Sequence, residues 1–485
     1  MNNELGTYLY DGNIQELFAH ASLQLYNAVA HTIGPNGTNT AIPTGNDFLA
    51  IINDGKTIID TISSKDPAEK LAINTLKESA YATNKESGDG TSSTIILQHQ
   101  LLLNILEHNE NCWKEDPTGI PITSVDVLKA RDILLEDLPK YKKDIETPED
   151  LKKVITVALG SDKFTDIVYS AFEGLDKTQK PALVKVNTQR DTDFVKVDGI
   201  SLAPVEVNPV VLRSMSASND EPLDIIILNQ EVSRIDNAFA ALLKQISSSS
   251  KKTILLYTDI KPSVMDQLLF NIDEGALNLI PIRIAMNMQN IDAIVNDLEE
   301  YFGCKAFSDL NPYQTNYKYA DEYRGKGIGY ILNKDSVIIK NDNDDYGKKE
   351  HMLPASSSAI QVGFITYSQQ AEDYRRLEDA VQSAYNAINY GYVLGAGFTY
   401  FSMCNVLPDE MAVIRQAMCG IFNSLCTANV SSQFEFINTI EDSVYDSYKV
   451  AEQVILNSFT VVAQILSTRC LLVPYQRNRM TGELN

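Results

Sequence analysis

Apolar residues recur at helical spacing along both ends of this chain and in strand-like runs along its middle, and that order limits the architectures open to it. Ile14, Leu17, Phe18, Leu25, Val29 and Ile33 predict an amphipathic helix over 14–33, stopped by Gly34-Pro35-Asn36-Gly37. Residues 41–43 and 48–52 read as short strands, and Asn53-Asp54-Gly55 makes the next turn. Helices follow over 67–86 (entered at Pro67), 95–107 and 122–140. In the middle, 184–186, 194–195, 224–228, 253–257 and 279–284 are strand-like. Helical stretches at 232–247 and 262–274 separate the last three, a β-α-β-α-β order. Residues 329–339 read as a hairpin around Asn333-Lys334-Asp335. The helical period returns over 372–390, 392–405, 409–425 and 446–468. At 485 residues the chain exceeds one core. The economical arrangement is a mixed α/β domain inserted into a mainly helical domain built from both chain ends.

A net charge of −23 argues against nucleic acid or an anionic membrane as the main partner. The six cysteines contain no C-x-x-C pair and the five histidines no metal-ligand spacing, so neither a zinc site nor a disulfide framework is indicated. The N-terminus has no basic segment followed by an apolar one, and no apolar run reaches ~18 residues. The expected compartment is the cytoplasm.

The chemistry concentrates in Gly88-Asp89-Gly90-Thr91-Ser92-Ser93, which runs into the apolar segment beginning at Ile95. The glycines allow a tight turn and a close approach to a ligand. Hydroxyl residues at a helix start, with unpaired N–H groups and the helix dipole, favour an anion. Asp89 suits a phosphate only with Mg²⁺ between them. No G-x-x-x-x-G-K-[ST] loop is present, and on these residues alone a turn capping a buried helix is the plainer reading.

Five motifs in order, Thr32-Ile33-Gly34-Pro35-Asn36-Gly37, Asn53-Asp54-Gly55, Gly88-Asp89-Gly90-Thr91-Ser92-Ser93, Leu377-Glu378-Asp379-Ala380 and Gly395-Ala396-Gly397, resemble those of the bacterial, GroEL-like group of chaperonins. The resemblance runs over nearly the whole chain and is weakest around 286–326 and 405–440. It implies a three-domain subunit: a mostly helical equatorial ATP-binding domain (1–140 and 390–485), a small intermediate hinge domain (141–197 and 358–389) and an α/β apical domain that binds non-native polypeptide (198–357). Thr32, Ile33, Gly34 and Pro35 match the segment lying against the nucleotide phosphates. Asp89 matches the Mg²⁺ ligand, and Gly90, Thr91, Ser92 and Ser93 the phosphate loop, with serines in place of two threonines. Asp54 matches a carboxylate near the γ-phosphate. Asp379 matches the carboxylate that closes onto the site and metal and assists water attack. Ala396 sits in a glycine triplet near the nucleotide, and Asp446 matches a ribose-binding residue. Asn53 departs from the usual lysine, which removes some phosphate charge compensation. Taken alone, Asp379 reads as a solvated helix carboxylate, Asp54 as an Asp-Gly turn and Asp446 as a helix N-cap.

Ile235, Phe239 and Leu242 lie at helical spacing, and Met265, Leu268, Leu269 and Ile272 stripe the next helix. Two such stripes ordinarily face a core. The resemblance instead implies an exposed apolar surface of Ile235, Phe239, Leu242, Met265, Leu269 and Phe270, with Val210 and Val211 beneath. That surface would take unfolded chains, or the loop of a co-chaperonin. The short link from Ser247 to Lys252 leaves no room for a built-in lid. The chain is trimmed at 340–359 and 401–446, where the second segment contributes to ring stacking in the family, so one ring is expected rather than two. Seven subunits are inherited from the resemblance. Such trimming, with an Asn- and Tyr-rich composition, suits a virus-encoded copy. The expected function is a Mg-ATP-driven foldase; the alternatives are a holdase ring with little ATP turnover and an assembly ring without clients.

Overall fold

The computed structural model describes all residues except 1–6, 35–36, 45–47, 115–118, 178, 190, 203–204, 285–290, 309–321, 333–335, 342–352, 354–355, 365–366, 430–443 and 475–485. Pro35, the 333–335 turn and most of the trimmed 340–359 segment therefore lie outside the described residues.

The chain begins with β1 (Thr7–Leu9), α1 (Ile14–Val29), a hairpin of β2 (Thr40–Thr44) and β3 (Phe48–Ile52), α2 (Gly55–Thr61), α3 (Pro67–Ser87), α4 (Thr91–Lys114), α5 (Ser124–Asp137), α6 (Pro148–Leu159) and α7 (Thr165–Phe172). The middle carries β4 (Ala182–Gln189), β5 (Asp193–Leu202), β6 (Val205–Val207), α8 (Pro209–Ser214), β7 (Ser218–Asn219), β8 (Leu223–Val232), α9 (Asn237–Ser248), β9 (Thr253–Ile260), α10 (Pro262–Asp273), β10 (Leu279–Ile284), α11 (Ile291–Phe302), β11 (Gly325–Gly327), β12 (Gly329–Leu332), β13 (Val337–Lys340) and β14 (Ser356–Phe364). It ends with α12 (Tyr367–Tyr390), β15 (Tyr392–Leu394), α13 (Phe398–Met403), α14 (Ala412–Met418), α15 (Gly420–Asn429), β16 (Tyr445–Ser447), α16 (Tyr448–Ser467) and β17 (Leu472–Pro474). Two compact units result: residues 1–166 with 375–485, and 167–374.

The first unit is mostly helical. Local chemistry sets its helix ends. Asp66 caps α3 by accepting from the N–H groups of Ala68 (2.7 Å) and Glu69 (3.0 Å), Pro67 takes the first helical position, and Gly88 ends the helix at φ +77°. Capping boxes at Thr123/Asp126 and Thr147/Asp150 start α5 and α6. The centre of this unit is α16, whose Val454, Ile455, Phe459 and Val462 are fully buried against α3, α4 and α5. By length and mean hydropathy α16 could cross a membrane, although it holds no unbroken apolar run of ~18 residues; its burial makes it the core helix of the unit.

Residues 392–405 do not form the single helix that their spacing predicts. Tyr392–Leu394 is a strand paired antiparallel with Tyr445–Ser447, and Ala396 at φ 53° and Gly397 at φ 74° break the helical path before α13.

In the second unit, β8, β9 and β10 run parallel, with β11 and β6 antiparallel at the edges. The β-α-β-α-β reading holds there. Ile225–Leu228 is buried on both sheet faces, which is why it is continuously apolar. On one face, Phe239, Leu242 and Ile246 of α9 and Val264, Leu268 and Ile272 of α10 pack on Ile226, Leu228, Leu255 and Leu279. On the other, Ile294, Leu298 and Phe302 of α11 pack on Ile225, Ile227, Ile254 and Ile280. A six-stranded mixed sheet, β4-β14-β5-β13-β12-β7, completes the unit.

This packing corrects the expected exposed surface. Phe239 (1% exposed), Leu242 (4%), Leu269 (9%) and Val211 (0%) are buried. The stripe on α9 is the stripe that covers the sheet, and Leu269 and Val211 belong to the core on the sheet's other face. Phe270 stays 66% exposed and Ile235 36%, while Met265 and Val210 are half-buried.

Candidate functional site

Every described residue of the expected nucleotide site lies in the first unit. Two glycine-bearing turns meet there. The first is the Asn53-Asp54-Gly55 turn. Asp54 caps α2, accepting from the N–H groups of Lys56 (3.2 Å) and Thr57 (3.0 Å) and from the Thr57 hydroxyl. These bonds fix its carboxylate. Gly55 is pressed against the start of α4, since a Cβ there would stand 2.2 Å from the Ser92 Oγ. The half-buried Asn53 precedes this cap.

The second turn joins α3 to α4. The Ser87 hydroxyl holds the loop by donating to the carbonyls of Thr83 (2.6 Å) and Asp89 (2.8 Å). The Gly90 N–H donates to Asp89 Oδ1 at 2.5 Å, and Gly90 takes φ +91° with Val450, Thr83 and Val454 about its Cα. Helix α4 therefore starts at Thr91, one turn earlier than its apolar spacing predicts, and Thr91, Ser92 and Ser93 form its first turn. Thr91 is buried and the two serines are half-buried. Their N–H groups have no carbonyl behind them within the helix, so the end of α4 suits an anion.

Four aspartates share this region. Burial raises Asp89 above the usual carboxylate range, and the charge of Asp54 adds to it, against the Gly90 N–H. Asp379, on α12, is raised further: burial first, then the charges of Asp89, Asp54 and Glu378, opposed by Lys56. Asp446, in β16, is pushed up to about 7 by burial and then by Asp89. Its carboxylate stands over Gly395, where a Cβ would come 2.8 Å from Oδ1. It is a strand residue; the position before α16 belongs to Ser447.

Thr32 is buried with its hydroxyl given to the Val29 carbonyl (2.8 Å), Ile33 packs on the core, and Leu425 of α15 lies over Gly34. Ala396 is the one non-glycine described at positive φ. The 426–440 loop falls mostly outside the described residues.

Three neighbours escaped the sequence reading. Gln382 on α12 lies against Gly88. Tyr400 is buried and pushed far above its usual range by burial, Asp446 and Asp89. Lys56 acts on Asp379. Only Lys56 carried a local signal, two residues after Asp54; the other two arrive through tertiary packing.

Among the described residues no group of three or more His, Cys, Asp or Glu side chains could hold a metal alone. The donor set nevertheless fits Mg²⁺ bound together with phosphate. Asp89 and Asp379, whose ionisation burial and then neighbouring carboxylates disfavour, call for a cation, and Mg²⁺ commonly takes one or two carboxylates and fills its shell with phosphate oxygens and water.

Comparison with known proteins agrees with this geometry. A model of the TCP-1/cpn60 chaperonin family matches residues 25–428. The protein named Chaperonin GroEL of Acholeplasma laidlawii (strain PG-8A) is 22% identical over 512 residues, covering 93% of this chain and 93% of that protein. Two crystal forms of the chaperonin gp146 from the bacteriophage EL 2 (Pseudomonas aeruginosa), in presence of ATP-BeFx, share the fold, with TM-scores of 0.69 and 0.63 at 15% and 14% identity. Each match covers 96% of this chain and 99% of the phage chain. The phosphate-loop turn, the carboxylates around it and a family match over most of the sequence converge: the chain belongs to the TCP-1/cpn60 chaperonin family.

Proposed function

We propose that this chaperone hydrolyses ATP at the site around the start of α4 and uses the turnover to act on non-native polypeptides in a ring. The observation that carries the reading is the gathering of Asp54 and Asp89 with Asp379 beside an anion-seeking helix start, in surroundings that resist the ionisation of Asp89 and Asp379. Carboxylates wanting a cation next to N–H groups wanting an anion describe a metal-bound triphosphate.

Mg²⁺ on Asp89 would supply positive charge to the phosphates as the γ-phosphoryl group leaves. Thr91, Ser92 and Ser93 offer N–H and hydroxyl donors to phosphate oxygens, and Thr32, Ile33 and Gly34 flank them. Asp379 orients the attacking water and takes its proton; a carboxylate with raised proton affinity is the better base at neutral pH. Asp54, held by its capping bonds, keeps a fixed position near the γ-phosphate. Lys56 supplies part of the charge missing at Asn53. Asp446, with Ala396 in the adjoining turn, meets the ribose.

The three-domain division implied by the sequence remains our assignment, with 141–197 and 358–389 as the hinge. Client capture is assigned to Phe270 and Ile235, with Met265 and Val210 beside them. Ring assembly is supported by the two-stranded sheets β2–β3 and β1–β17, which leave Leu49, Ile51, Leu9 and Leu472 at least half exposed beside edges that no further strand pairs among the described residues. We assign one ring of seven subunits in the cytoplasm, open to a co-chaperonin.

The test is Mg²⁺-dependent ATP hydrolysis by the purified protein beside Asp379→Ala. Turnover should fall at least ~100-fold in the variant, the scale of losing a positioned base. Absence of turnover in both proteins refutes the ATPase reading, supports a holdase and makes Asn53→Lys the next variant.

A further inference from the structure

We propose that Cys404 and Cys419 form a redox-modification site, a reversible disulfide that ties the segment after α13 to the α14–α15 junction. Cys404 directly follows α13, and Cys419 lies between α14 and α15. Their sulfurs stand 3.5 Å apart. The Cys404 sulfur also lies 3.4 Å from the carbonyl oxygens of Tyr400 and Arg415, and the Cys419 sulfur 3.6 Å from that of Arg415. Both sulfurs are thus held beside the Arg415 carbonyl, Cys404 in the core and Cys419 at its margin. A bond needs sulfurs at ~2.05 Å, so the gap to close is about 1.5 Å.

The two thiols are not equivalent. Cys404 is 9% exposed, whereas Cys419 is half-buried and within reach of a small oxidant. A hydrogen bond from Cys404 lowers the Cys419 thiol to about 7, while the same pairing and burial push Cys404 up. Cys419 is therefore the nucleophile and Cys404 the resolving thiol. With hydrogen peroxide as oxidant, the Cys419 thiolate attacks one peroxide oxygen and the O–O bond breaks, giving a sulfenic acid and, after protonation, water. The Cys404 sulfur then attacks the sulfenic sulfur. Its proton leaves with the hydroxyl as a second water, and the S–S bond forms. Two thiols and one peroxide become one disulfide and two waters; a dithiol reductant reverses it.

The tie has something to hold. Gly397 at the head of α13 packs directly under Ile421 and Phe422 of α15, and Leu425 of the same helix covers Gly34. Fixing the end of α13 to the start of α15 fixes the cover over both turns.

The test uses the ligand-free full chain. After peroxide treatment and alkylation, an unreduced peptide map should show residues 404 and 419 joined with loss of two hydrogens, and dithiothreitol should restore both thiols. Cys404→Ser should instead accumulate a sulfenic acid at residue 419, trapped by a cyclic 1,3-diketone. Oxidised wild type should melt roughly 5 °C higher, the scale for closing a loop of ~15 residues in a large domain, and Cys404→Ser should not. The proposal is overturned if residues 404 and 419 still alkylate once the exposed Cys470 is oxidised, if the map joins 419 to another cysteine, or if the joined protein melts unchanged. Should Cys404→Ser fail to fold, the wild-type map and melting decide alone.

Discussion

Replacing Asp446 by Asn should stabilise the ligand-free protein at alkaline pH while weakening nucleotide binding. Burial, and secondly Asp89, raise this carboxyl from 3.8 to about 7 in the folded chain. Between those values the folded state holds a proton that the unfolded chain releases. The stability linked to the group is therefore whole below about pH 4 and is lost as pH rises through about 7. At about 1.4 kcal/mol for each pH unit, the full loss has a ceiling of about 4 kcal/mol above pH 7. Asn keeps the shape beside Gly395 without the charge. Melting temperatures of both proteins at pH 5.5 and 8.5, above the sequence pI of about 4.6, decide the matter. The gain should be several degrees at pH 8.5 and about half that at pH 5.5, where about half the titration window has been crossed. An equal gain at both pH values, or none at 8.5, refutes the reasoning.

Phe270→Ser combined with Ile235→Ser should abolish capture of a denatured client while leaving ATP turnover unchanged, measured by light scattering and phosphate release. Phe239→Ala should lose capture by a different route, by destabilising the second unit by about 3–5 kcal/mol, visible in its urea midpoint. Ala396→Gly should stabilise the first unit by about 1 kcal/mol, because Ala396 holds φ 53° at the cost that a Cβ meets in the left-handed region; calorimetry reads it.

What could be read in advance was local. Pro67 and Gly88 mark both ends of α3 by their own chemistry, and the apolar run Ile225–Leu228 declares a strand. Tyr392–Leu394 could not be read this way, because its strand character comes from pairing with residues more than fifty positions later. The stripe of Phe239 and Leu242 was misplaced for another reason: the same spacing serves a helix on a sheet and a helix facing a client, and only the neighbouring Ile226 and Leu255 decide. At the site, the aspartates were found by motif. Their mutual electrostatics, Lys56 included, exist only once α2, α4, α12 and β16 are brought together.

The place of α16 has a temporal consequence. It fills the centre of a core whose other walls, α3, α4 and α5, are complete by Asp137, while α16 begins only at Tyr448. At ~5–20 residues per second, a ribosome needs roughly 15–60 s to cross that interval. Through it α3, α4 and α5 lack the helix that fills the centre of their core, and the whole inserted unit is made in the meantime. The core of the first unit is therefore the last part of the chain to be completed.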